Sequence, residues 1–306
     1  MKKVILVIGF VMCLLLVQAQ TRRQMGGVYC AYPFTEVETG KTLSIEKYED
    51  EDNLVLEGYT PFYISHYGRH GSRWMPHDDR YVWVNRHFED VSNLTPLGKK
   101  VRKILWRVWD NAQGNGGKLS KLGALQHRGI ANRMYQRFPH IFATGNRVTA
   151  RSSVVDRCAK SMLAFTDELH HLQPSLTMDV KTDSADMAWI AYTSPEEKAL
   201  ENRTKVTPKV STDRFMHLLF KDISKIDDPM KLMGEMQAIT SSIQDVGLNF
   251  KSYPKDIEEQ LNALFTDEEF RAFYEANNKR MTICNGEDLY NEQIPMRSAV
   301  SLWHHI

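Results

Sequence analysis

The chain has 306 residues, 42% hydrophobic and 25% charged, the balance of an ordinary globular protein. That length permits one large domain, or a core carrying a smaller insertion. A formal net charge of +1 favours neither nucleic acid nor an anionic membrane as partner. Cations that matter must therefore be concentrated locally.

Lys2 and Lys3 precede an apolar run over 4–17, which closes in Val17-Gln18-Ala19. The run is too short for a membrane span of about 20 residues and reads as a signal peptide over 1–19, cut after Ala19. The expectation is a secreted or periplasmic protein with no membrane contact after cleavage. Of four cysteines, Cys13 falls in that leader. Cys30, Cys158 and Cys284 remain, an odd set at wide spacing without disulfide or metal-ligand pattern. They are expected to be unpaired, small, buried side chains, and neither metal nor cofactor is expected.

Residues 20–57 are mixed and polar. A β-prone run at 61–67, with Phe62, Tyr63 and Ile64, then breaks into Arg69-His70-Gly71-Ser72-Arg73. This sets an imidazole among permanent cations, on a turn made permissive by Gly68 and Gly71. Guanidinium forks match phosphate oxygens, and the cluster has no acid of its own. It calls for an anionic guest, whose phosphorus a neutral imidazole could attack. Residues 75–93 lack clean periodicity and read as a loop; Arg80 and Arg86 in it, and Lys99 beyond, are candidates for further phosphates.

Thr95-Pro96 starts a helix, with Val101, Leu105, Val108 and Trp109 at helical spacing to about Ala112. Gly114-Asn115-Gly116-Gly117 ends it. Ser120 starts a second, with Leu122, Leu125, Ile130, Met134 and Phe138 as its buried face. Residues 140–152 return to β character through Val148 and Ala150. A third helix follows, with Val154, Cys158, Met162, Phe165 and Leu169 on one stripe. Arg157 lies in its first turn, off the stripe. A helix start carries free N–H groups and partial positive charge, so Arg157, in preference to Arg151, completes the phosphate cage with Arg69 and Arg73.

After about residue 185 helix signals dominate, with capping boxes at Ser194–Glu197 and Thr266–Glu269. The organisation read from this is an α/β core over 20–184, a mainly helical inserted subdomain over 185–290, and a return toward the core at 291–306.

Three segments together resemble the histidine acid phosphatases, the branch of the histidine phosphatase superfamily that includes phytases and multiple inositol polyphosphate phosphatases. They are Arg69-His70-Gly71-Ser72-Arg73, residues 119–127 ending in Gln126-His127, and Arg151-Ser-Ser-Val-Val-Asp-Arg157. The resemblance covers roughly 59–170, and the Ser72-Arg73-Trp74 ending is similar to the secreted bacterial inositol polyphosphate phosphatases. It implies a mixed central sheet flanked by helices and a phosphoric monoester hydrolase needing no metal. It also implies His70 as the nucleophile that becomes phosphohistidine, phosphate held by Arg69, Arg73 and Arg157, and an inositol phosphate such as phytate as substrate. Gln126-His127 is implied as structural, on a helix behind the site.

One departure bears on activity. The family closes its site with a late His-Asp or His-Ala-Glu, whose acid protonates the leaving oxygen. Here His304-His305 is followed only by Ile306, and 297–306 reads as a helix stopped in mid-course. The expectation is a fragment lacking the last core strand and the general acid, whose loss costs about 10²- to 10⁴-fold in rate. The alternative function is therefore a non-catalytic binder of phosphate ligands. A mutase-like transferase is disfavoured by the export signal. A cysteine phosphatase is disfavoured because no arginine lies six positions after Cys158 or Cys284.

Overall fold

The computed structural model describes Met25 and residues 58–143, 145–243 and 257–304. The signal peptide read over 1–19, Cys30 and His305 lie outside the described residues. The class is α/β, as expected, with helix far outweighing strand.

Helix α1, Asp78–Arg86, forms where the sequence reads as a loop. Asp78 and Asp79 in its first turn and Arg86 in its last complement the helix dipole, and Tyr81 and Val84 turn inward. Nine residues without a side-chain cap at His77 are too few to show a clear period. Helix α2, Pro96–Ala112, starts where expected: the Thr95 hydroxyl accepts the Gly98 amide at 3.0 Å. Val101, Ile104, Leu105, Val108 and Ala112 are its buried face.

Helix α3, Lys121–Arg137, is capped by Ser120 in the same way. Its buried side is rotated from the expected stripe: Gly123, Gln126, His127 and Ala131 are buried with Leu122, while Leu125, Ile130, Met134 and Phe138 are only half-buried. The apolar count misplaces the face because small and polar residues meet a backbone loop there.

Strands β1, Arg147–Ser152, and β2, Thr177–Thr182, pair in parallel, from Arg147 opposite Thr177 to Ser152 opposite Thr182. Parallel neighbours need a long crossover, which helix α4, Asp156–Leu172, supplies. A small core of Ala131, Phe142, Leu169 and Leu176, with Ile64 and Phe165 against it, joins α3, α4 and this sheet. Among the described residues the sheet has these two strands. The run at 61–67 forms no strand, and Phe62 and Tyr63 are 91% and 66% exposed. β propensity expresses itself only against a partner ladder.

The helices that follow are α5 (Met187–Ile190), α6 (Pro195–Arg203), α7 (Asp213–Leu219), α8 (Pro229–Ser241), α9 (Ile257–Asn262), α10 (Asp267–Asn285) and α11 (Ile294–Trp303). Thr266 and Glu269 close a reciprocal capping box at α10, and Ser194 makes the forward bond to the Glu197 amide at 3.1 Å. The main hydrophobic core joins α1 and α2 to α7 through α10, with Phe88, Leu94, Phe215, Phe220, Met233 and Phe270 wholly or nearly buried. Thr95 links the halves, donating its amide to the Leu219 carbonyl at 3.0 Å. Cys284 is buried, Cys158 half-buried, and both are unpaired. Among the described residues no helix is long and apolar enough to cross a membrane.

Candidate active site

The segment 69–73 crosses the start of α3 at van der Waals limits. A Cβ on Gly71 would lie 2.3 Å from the Gly123 carbonyl oxygen, and one on Gly123 would lie 2.2 Å from that of Ser72. Gly71 is therefore required by close approach and not by a left-handed backbone, since neither Gly68 nor Gly71 has positive φ.

Three side chains hold this backbone. The Gln126 carbonyl oxygen accepts the Ser72 amide at 2.8 Å. His127 Nε2 lies 3.1 Å from the Arg69 carbonyl oxygen; a carbonyl only accepts, so Nε2 carries a proton. The Ser161 hydroxyl of α4 accepts the Gly71 amide at 3.1 Å and donates to the Arg157 carbonyl at 2.8 Å. Gln126 and His127 thus stand behind the loop, as the resemblance implied. Burial holds His127 below its ordinary pKa, which suits a neutral structural donor.

His70 is half-buried, and its Nδ1 lies 2.8 Å from the Gly71 carbonyl oxygen. That acceptor fixes the proton on Nδ1 and leaves the lone pair on Nε2. Its pKa is pushed down to about 4, first by burial and then by the charges of Arg69, Arg157 and Arg73, against the opposing pull of the Gly71 carbonyl. Desolvation is thus a larger cause than the flanking cations that the motif supplies.

Arg157 stands in the first turn of α4, where no side chain caps the helix. Its Nη1 points to the Gly117 carbonyl at 3.4 Å, and its Nε is buried without a hydrogen-bond partner among the described residues. A buried N–H without an acceptor costs roughly 1–3 kcal/mol, so this donor could take an oxygen. Arg73 Nη1 donates to the Trp74 carbonyl at 2.8 Å, and its backbone bridges to Leu119. Arg69 is exposed. Positions 69, 70, 73 and 157 are thereby brought into one electrostatic neighbourhood.

Arg151 is engaged elsewhere. Its guanidinium donates to the Asp179 carbonyl at 2.8 Å and its carboxylate at 3.1 Å, bracing β1 on β2. Of the candidates for extra phosphates, Arg80 is bound to Glu235 at 2.6 Å and Arg86 lies 3.7 Å from Asp227, while Lys99 is exposed. Among the described residues no cluster of His, Cys, Asp or Glu has metal-binding geometry.

Two groups escaped the sequence reading. Ser161 carries no motif, though its position one turn after Arg157 on the same helix face was a usable signal. The other is the loop before α3, where the Asp78 carboxylate accepts the Gly114 and Gly116 amides at 2.6 and 2.7 Å. Gly117 at φ +72° then turns the chain toward Arg157.

No family model and no curated protein matches the chain. Solved structures do. The multiple inositol polyphosphate phosphatase of Bifidobacterium longum, in complex with inositol hexasulfate, superposes with a TM-score of 0.57 at 13% identity, covering 83% of this chain and 70% of its own. Its apo form gives 0.56 at 14% identity, covering 78% and 66%. The phytase of D. castellii gives 0.48 at 10% identity, covering 71% and 50%. The chain thus spans about two thirds of the length of the bifidobacterial protein, and its fold is that of the histidine acid phosphatases.

Proposed function

We propose that the protein is an exported phosphomonoesterase that hydrolyses inositol polyphosphates through a phosphohistidine at His70. The observation that carries this reading is the setting of His70: Nδ1 lies 2.8 Å from the Gly71 carbonyl oxygen, which leaves Nε2 for attack, and burial with the charges of Arg69, Arg157 and Arg73 lowers its pKa. The likeness in fold to a protein solved with inositol hexasulfate, whose sulfates stand in for phosphates, supports an inositol phosphate as guest.

A phosphate monoester sits against the three guanidinium groups and presents phosphorus to Nε2. Phosphoryl transfer demands mainly positioning and charge stabilisation, which fixed arginines supply. The P–N bond forms as the ester P–O bond breaks, and the alcohol leaves with the electron pair and takes up a proton. Water then attacks the phosphohistidine, releasing inorganic phosphate and restoring His70. Among the described residues, the charges that dominate around His70 are guanidinium groups, none of which would protonate a leaving oxygen. An aryl phosphate, whose phenolate leaves without protonation, therefore reports the nucleophile alone.

The test compares phosphate release from phytate and p-nitrophenyl phosphate by the wild-type protein and His70→Ala. The variant should lose release from both substrates. Release at the wild-type rate by His70→Ala would overturn the reading, and tight phytate binding without turnover by wild type would favour the binder. Export is motivated by the apolar run over 4–17 and is checked by sequencing the mature protein, expected to begin at Gln20.

A further inference from the structure

Three side chains brace the 69–73 loop, and one of them also touches the element bearing Arg157. Ser161 lies one helical turn beyond Arg157 and is 2% exposed. Its hydroxyl proton goes to the Arg157 carbonyl at 2.8 Å. That donation fixes the rotor, so a lone pair points at the Gly71 amide 3.1 Å away. Gly71 in turn offers its carbonyl to His70 Nδ1 at 2.8 Å. One hydroxyl thus has its donor and acceptor both used, on the two segments that carry the imidazole and the guanidinium. Gln126 and His127 brace the loop from α3 alone.

We propose that Ser161 is a positioning residue that keys the His70 loop to the first turn of α4, holding imidazole and Arg157 in register for one phosphoryl group. This rests on the phosphatase reading of the same site. Without the hydroxyl, the Gly71 amide loses its acceptor, and the loop, still held to α3 by Gln126 and His127, loses its tie to α4. The imidazole and the guanidinium then no longer meet the same oxyanion together. A displacement of about 1 Å at such a site lowers rate by as much as 10²-fold.

The experiment is a double-mutant cycle. Wild type, Ser161→Ala, Arg157→Ala and the double variant are compared in kcat and KM for p-nitrophenyl phosphate and in inhibition by inorganic orthovanadate, with melting temperatures recorded in parallel. Ser161→Ala should lower kcat about 10- to 100-fold and weaken orthovanadate inhibition. On the Arg157→Ala background it should change either quantity by less than about threefold, because coupled residues are not additive. Ser161→Thr, which can return its hydroxyl to the i−4 carbonyl, should recover at least part of kcat. If Ser161→Ala fails to fold, the cycle is run with Ser161→Cys, whose weak S–H donor and acceptor should give a smaller loss of the same pattern. Equal losses on both backgrounds, or wild-type kinetics in the serine variants, would overturn the proposal. Inactive wild type would instead remove the phosphatase reading on which it stands.

Discussion

The charge of Arg157, in the first turn of α4, acts on the imidazole of His70, on the loop before Trp74. Burial first, and then the charges of Arg69, Arg157 and Arg73, push the pKa of the ring far below the usual histidine range. The acid limb of kcat/KM assigned to His70 should therefore lie near pH 4, where the free-enzyme imidazole titrates, and not near 6.5. Removing one cation in Arg157→Gln should move that limb upward. A pH profile of kcat/KM for both proteins checks this, and an unmoved limb would separate Arg157 from the ring.

The same shift should appear in folding. His70 titrates near 6.5 when unfolded and near 4 when folded, so between these values the unfolded chain binds more protons. Its contribution is fully present above pH 6.5 and is lost as pH falls through 6.5 toward 4. Burial lowers His66 and His127 as well, with the same sign. Denaturant melts of wild type and His70→Ala over this window should show a shallower loss of stability in the variant.

Arg157→Lys keeps a positive charge but loses the planar fork and the buried Nε. Lysine binds phosphate as a point charge, so the substitution should not be conservative here. Binding of inorganic phosphate, measured by calorimetry, should weaken by about tenfold or more, equal to roughly 1.4 kcal/mol. Full affinity in the lysine variant would mean the fork makes no contact.

Asp78 fastens the loop whose Gly117 carbonyl faces Arg157 Nη1. Asp78→Ala would leave two glycine amides without their carboxylate and remove an acidic residue from the first turn of α1. A loss of about 1–3 kcal/mol is expected. It should be accompanied by a higher KM, because the loop no longer steadies Arg157. Thermal melts and steady-state kinetics on the same samples check both parts.

Gly123→Ala should be far more damaging than an alanine in an ordinary helix, where it would stabilise. Its Cβ would sit 2.2 Å from the Ser72 carbonyl oxygen, so the His70 loop must move. Circular dichroism should show a folded protein, while phosphate release drops by orders of magnitude.

Local signals were legible in the sequence. Thr95 and Ser120 cap helices where hydroxyls precede them, and β1 and α4 fall where the periodicity changes. The clustering of Arg69, His70 and Arg73 was readable for the same reason: five consecutive residues carry it. What was hidden depends on backbone proximity. Gly71 and Gly123 are required by each other, and no composition reveals that. α1 is too short to show a period, and the 61–67 run shows β propensity without forming a strand among the described residues. Ser161 was missed because a serine on a helix is usually solvated, whereas this one faces Gly71.

The most direct test is to quench turnover of p-nitrophenyl phosphate and map the acid-labile adduct by mass spectrometry. A phosphoryl group on the peptide containing His70, absent in His70→Ala and much reduced in Arg157→Ala, is the predicted result. An adduct on another residue, or rapid turnover in His70→Ala, would contradict the account.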